Sequence, residues 1–172
     1  AYFVAFPGTK LQDFGWTLPA TTRLATLLWV LGLGALMVFL VQFNAKKPEN
    51  LKQYPQIRAN RWTPGMVQGS LLGWTIYLLG YEALFRGVLL FPLVDAIGLW
   101  PAIAVNIGLY SGTHIPKGAK ETIGAIPFSV VLCLLSVLTG NIWIAATVHV
   151  CMAWTSVLLS LKHHPEMEIV RS

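Results

Sequence analysis

The chain has 172 residues, 55% of them hydrophobic and 11% charged, where an ordinary soluble domain carries about 25% charged residues. With a mean hydropathy of +0.63, this excludes a disordered tail, a nucleic-acid arm and a typical water-soluble enzyme. A soluble fold of this size cannot bury so much apolar surface, whereas a bilayer can cover it. The net charge of +5 reads as loop charge facing anionic lipid and solvent, with no nucleic-acid partner.

In chain order, the apolar stretch 1–6 is too short to span. Residues 24–41 form the first charge-free run long enough for a transmembrane helix, which needs about 20 apolar residues. Residues 44–63 read as a polar loop, with Lys46, Lys47, Lys52, Arg58 and Arg61 against Glu49. A second run covers 62–81, and Pro64 suits a helix start, where its missing N–H costs little. Residues 87–98, interrupted by Pro92 and Asp95, read as a helix continuation or a short interfacial or half helix. A third run, 96–113, ends at His114, before the break marked by Pro116 and Gly118.

The stretch 122–161 lacks Asp, Glu, Lys and Arg and holds one histidine, His149. Thr139-Gly140-Asn141 divides it into two spans, and 162–172 is a polar tail. Cys133 and Cys151 lie inside apolar runs and read as small hydrophobes. Trp62, Trp100 and Trp143 near span ends read as interfacial anchors. The expectation is an all-α, polytopic bundle forming one membrane domain over 1–172, with about five transmembrane helices and one short helix. Its partner is the lipid bilayer, in a cell membrane of bacterial type or an organelle membrane.

Ionisable groups inside such runs are costly, about 2.5–3.5 kcal/mol each on insertion scales, and usually face a partner or a cavity. Glu82, Arg86, His114 and His149 are therefore the candidate catalytic residues. Glu82 and Arg86, spaced i, i+4, share a helix face and can pair. Burial raises a carboxylate's proton affinity and a nearby guanidinium lowers it, so Arg86 can tune Glu82 as a base. Two chemistries stay open. Glu82, His114 and His149 could hold a divalent metal such as zinc with an open position for water. Alternatively, Glu82 activates water without metal while the imidazoles stabilise an oxyanion. Asn106, in mid-span, is a helix–helix hydrogen-bonding group or a supporting site residue.

The stretch Tyr81-Glu-Ala-Leu-Phe-Arg-Gly-Val-Leu-Leu90 resembles the E-E-x-x-x-R signature of the CAAX prenyl protease and bacteriocin-processing family (CPBP, also called Abi). Tyr110-Ser-Gly-Thr-His114 resembles its F-x-x-x-H motif. Gly140-Asn-Ile-Trp143 followed by His149 resembles its third region, ending in H-x-x-x-N. Order and spacing agree over about 62–161. The resemblance implies an intramembrane endopeptidase acting on a membrane-anchored peptide near the bilayer surface. In it Glu82 would be the base, Arg86 its orienting partner, and His114 and His149 the carbonyl-polarising or metal-holding groups.

Two positions depart from the pattern. Tyr81 stands where the family has its first Glu, and Ala153 where it has the last Asn. These departures carry the alternative, a catalytically silent relative serving as a subunit of a larger membrane complex. Glu121 is a possible replacement carboxylate, or an acid favoured at a helix N-terminus.

Overall fold

A computed structural model describes residues 8–170; the stretch 1–6 lies outside them. The helices in chain order are α1 (Arg23–Ala45), the four-residue α2 (Pro48–Leu51), α3 (Pro64–Ile97), α4 (Leu99–Gly112), α5 (Ala119–Thr139) and α6 (Trp143–His163). Two-residue strands, β1 (Arg61–Trp62) and β2 (Glu168–Ile169), pair in parallel. Among the described residues, α1, α3, α5 and α6 are long and apolar enough to cross a membrane. The chain is an all-α, polytopic integral membrane protein, as its composition requires.

The helix count tests expectation in two places. The anticipated third span is α4, only 14 residues, about 21 Å at about 1.5 Å per residue and short of a hydrocarbon core of about 30 Å. Gly98, with φ +85°, sets its start, and the helix ends before Thr113. Of the two readings of the stretch after Arg86, the helix continuation is the one found, because α3 runs unbroken to Ile97. Within α3, residues Ala83–Leu90 are wound as a π-helix. Pro92 lies two residues beyond that segment. In regular α winding its ring would meet the carbonyl of Val88, and it offers no N–H. The wider i→i+5 winding gives the carbonyls before it other donors.

The described chain falls into two compact units. The first joins residues 8–28 to Tyr81–Ala146. Its core has two clusters, Leu90, Ala102, Ile103 and Cys133 in one, and Phe85, Tyr110 and Ala125 in the other. The break between α5 and α6 falls where Thr139-Gly140-Asn141 placed it. Gly140 takes the left-handed conformation (φ +66°) that closes a helix, and Asn141 Oδ1 accepts the Trp143 N–H at 3.0 Å.

A 3-10 turn, Leu11–Phe14, leads a segment that clasps this unit. The Gly15 carbonyl accepts the Ile142 N–H at 3.0 Å, and the Trp16 carbonyl accepts the Trp143 indole N–H at 3.1 Å. The Thr22 hydroxyl donates to the Thr139 carbonyl at 2.6 Å. Gly87 permits the closest approach. A Cβ there would lie 2.9 Å from the Phe14 carbonyl oxygen.

The second unit joins Trp29–Gly80 to residues 147–170. Its core is Trp62, Val157, Leu161 and Met167. Trp62 is fully buried there, with its indole N–H on the Ala59 carbonyl at 2.9 Å. It is a core residue, not the interfacial anchor expected. Trp100, 66% exposed, keeps the anchor's exposure. The polar tail is structured as well. His164 Nε2 lies 2.9 Å from the carbonyl oxygens of Leu51 and Tyr54, and Nδ1 lies 2.6 Å from Glu166 Oε1. The imidazole thus joins the tail to the residues around Leu51 and Tyr54.

Two predictions follow from these contacts. Gly87→Ala should lower the unfolding temperature in detergent, because overpacking against backbone costs about 1–3 kcal/mol. Gly80→Ala, on the same helix with nothing within 4 Å of its added Cβ, should be neutral or stabilising. Equal losses for the two would remove the Phe14 contact as the cause.

The second concerns acid. A bond from its own backbone N–H and the hydrogen bond from His164 hold the Glu166 carboxyl below the usual carboxylate range. A carboxyl depressed in the folded state gives stability that is present above its unfolded value, about 4.3, and is lost as pH falls through the lower, folded one. Melting temperature should therefore fall in acid, and less steeply in Glu166→Gln. Superimposable profiles would count against this clamp.

Candidate functional site

The site is built on the π-wound part of α3. Glu82 is the last residue before that segment and Arg86 lies within it. Both side chains are 0% exposed, and Arg86 Nε lies 3.3 Å from Glu82 Oε2. The i, i+4 pairing read from sequence is realised in a fully dry setting.

Arg86 is held from two further directions. Its Nη1 donates to Asn106 Oδ1 at 2.6 Å, and its guanidinium carbon stands 4.5 Å from the centroid of the Tyr110 ring. Asn106, on α4, returns its amide N–H to the Phe85 carbonyl at 2.6 Å, and its Oδ1 also accepts the Cys133 thiol at 3.3 Å. Asn106 thus ties α3, α4 and α5 together with one amide. The guanidinium needs that spread of partners, since desolvating a charge costs several kcal/mol even after relaxation.

The cluster continues toward His114. The Tyr110 ring is 5.1 Å from the His114 ring and 5.3 Å from that of Tyr81. His114 follows α4, half-exposed, with Nδ1 2.9 Å from the Tyr110 carbonyl oxygen. The Tyr81 hydroxyl is 2.6 Å from Thr113 Oγ1. The first unit therefore brings Tyr81, Glu82, Arg86, Asn106, Tyr110 and His114 into one connected group, from a sealed ion pair to a half-exposed imidazole.

His149 belongs to the second unit, on α6, and is half-buried. Glu121 sits in the first turn of α5, where the helix dipole favours an acid. Burial pushes the Lys117 ammonium below its ordinary range, and Glu121 partly offsets this. Among the described residues, no group of three or more His, Cys, Asp or Glu is arranged to hold a metal ion. Glu82, His114 and His149, the zinc set considered from sequence, form no such group among the described residues.

The sequence reading passed over Thr113 and treated Cys133 as a plain hydrophobe. Thr113 carried a signal, since it directly precedes a motif histidine. Cys133 carried none, because its thiol contact with Asn106 depends on how α4 meets α5.

These features define a polytopic membrane protein with a buried carboxylate–guanidinium pair next to a motif histidine. The family model described as type II CAAX prenyl endopeptidase Rce1-like matches residues 63–155, more than half the chain, and the chain belongs to that family. No curated protein and no solved structure matches the chain significantly.

Arg86→Leu should destabilise the detergent-solubilised protein by about 3–5 kcal/mol, because it strands a buried carboxylate. Arg86→Lys should fall between, since an ammonium keeps the charge but not the planar fork or its ring stacking. A wild-type melting temperature for Arg86→Leu would show that the pair contributes nothing to the fold.

Proposed function

We propose that the chain is an intramembrane endopeptidase that hydrolyses a peptide bond of a membrane-anchored substrate near the bilayer surface. Glu82 takes a proton from water as the water oxygen attacks the scissile carbonyl, and the proton passes on to the leaving amine. Arg86, at 3.3 Å, fixes the direction of the carboxylate. His114 and His149 serve the carbonyl oxygen and the leaving group. The part given to His149 rests on its motif alone.

The observation that carries this reading is the pairing of Glu82 with Arg86 on π-wound helix, beside the Tyr110–His114 motif, within the family match. π winding inside α-helices is frequent at functional sites, and a dry carboxylate–guanidinium pair linked through the Tyr110 ring to a half-exposed imidazole is a setting suited to proton transfer.

A specific observation favours a second reading. Glu82 has no exposed surface, and the neighbouring position holds the phenol of Tyr81, a poor base at neutral pH. A family member sealed in this way could act as a silent subunit of a membrane complex.

Cleavage of a farnesylated peptide ending in C-a-a-X, followed in detergent, separates the two. The peptidase reading expects Glu82→Gln to fold and to lose about 100-fold to 10,000-fold in rate, the usual worth of a general base. It expects His149→Ala to be similarly impaired. The subunit reading expects no cleavage by wild type, and Glu82→Gln to assemble normally. Wild-type cleavage by Glu82→Gln would end the assignment of Glu82, and Glu121→Gln would be the next variant to assay.

A further inference from the structure

The contacts inside each unit constrain how often the chain crosses the membrane. Helices α1, α3, α5 and α6 are long and apolar enough to cross, once each. In the second unit β1 and β2 pair in parallel, with the Glu168 N–H on the Asn60 carbonyl at 2.8 Å and the Val170 N–H on the Trp62 carbonyl at 2.9 Å. Groups bonded in this way lie on one side of a membrane. The chain from 62 to 168 therefore crosses an even number of times, yet α3, α5 and α6 supply three crossings. In the first unit the Gly15 carbonyl accepts the Ile142 N–H, and the Thr22 hydroxyl donates to the Thr139 carbonyl. The chain from 22 to 139 must also cross an even number of times, and α1, α3 and α5 again supply three. The helix common to both intervals and still uncounted is α4.

Packing in the first unit gives α4 the direction this requires. Leu90 of α3 clusters with Ala102 and Ile103 of α4 and Cys133 of α5, and Phe85 clusters with Tyr110 and Ala125. From the first cluster to the second, α4 advances in sequence while α3 and α5 both run backward. α4 is thus antiparallel to both neighbours and lies along the middle of α5. Its 14 residues fall about 9 Å short of the hydrocarbon core, a mismatch that the 3-10 turn Ile115–Lys117 and local thinning of the bilayer can cover. Leaving longer helices uncrossed would meet the same even count, but would set an apolar helix of at least 21 residues outside lipid.

We infer that α4 is a return crossing, so that the 46–63 loop, the 113–118 turn and the tail after α6 share one side of the membrane, the side of synthesis with its anionic leaflet. Charge assigns the side. Lys46, Lys47, Lys52, Arg58, Arg61 and Lys162 lie in or beside the loop and the tail, all exposed. The α4 crossing adds Lys117 and Lys120, which would otherwise sit across the membrane from the loop. The other side holds Lys10 and Arg23 among the described residues. Lys and Arg in short loops stay on the side of synthesis, where anionic headgroups attract them. The inference holds for a peptidase and for a silent subunit alike.

The test labels introduced cysteines with a membrane-impermeant maleimide, in right-side-out and inverted vesicles of a bacterium expressing the full chain. Wild type sets the background, since Cys133 and Cys151 lie within α5 and α6. Lys46→Cys, Lys120→Cys and Lys162→Cys, at exposed positions, should label in inverted vesicles and be protected in right-side-out ones. Gln12→Cys and Asp95→Cys, also exposed, should show the reverse. Labelling of Lys120→Cys from the same face as Asp95→Cys overturns the α4 crossing. Labelling of Lys46→Cys and Lys162→Cys from opposite faces removes the even count on which the crossing rests. The complete pattern with its faces exchanged overturns the assignment to the side of synthesis. If Asp95→Cys does not insert, Gln12→Cys reports the same face in its place.

Discussion

A charged pair without water must be satisfied by protein, and that constraint organises the first unit. Arg86 could not sit at 0% exposure on the attraction of one carboxylate alone, since desolvation rivals the Coulomb gain. Asn106 and the Tyr110 ring add to it, and each comes from α4. The position of α4 against α3 is thereby fixed by polar contacts, in an environment where apolar packing gives little preference between one helix face and another. Asn106 also gives the buried thiol of Cys133 an acceptor in mid-helix.

The same constraint separates two kinds of residue within the cluster. Glu82 and Arg86 are held by structure and have no surface, while Tyr81 and His114 lie where the cluster meets its surroundings. Tyr110 links them, with its ring under the guanidinium and its carbonyl under the imidazole. Electrostatic order in the dry part is in this way transmitted to the orientation of the half-exposed part through a single residue.

Much of this was legible in the chain. Four long apolar runs, the Pro64 start and the Gly140 stop all act locally, through hydropathy and backbone preference, and the structure places helices and breaks there. Glu82 and Arg86 announced their pairing by spacing. What stayed hidden depends on contacts between distant segments. The shortness of α4 was masked because its apolar sequence is continuous with what precedes it, and only Gly98 marks the division. The burial of Trp62 needs β2 and the end of α6, about a hundred positions away in sequence. His164 looked like one residue of a polar tail, and its carbonyl partners are Leu51 at the end of α2 and Tyr54 in the loop after it. The π winding follows from tertiary packing and Pro92 together, and apolar periodicity alone does not report it.

The clasp of residues 8–22 has a consequence for how the protein is made. Its partners, Thr139, Ile142 and Trp143, lie 117 to 127 positions further along the chain for the side-chain bonds. β1 likewise waits for β2. Synthesis runs from the N-terminus at about 5–20 residues per second, so the first segment emerges many seconds before anything it can hold. Through that interval Phe14 and Trp16 are uncovered apolar groups beside a membrane, and the strand at 61–62 is an unpaired edge. The order of translation therefore sets a vulnerable interval between residues 8–22 and the partners of the clasp. It ends only when the last helix has been inserted, which makes the α5–α6 turn the point at which both ends of the first unit become committed to each other.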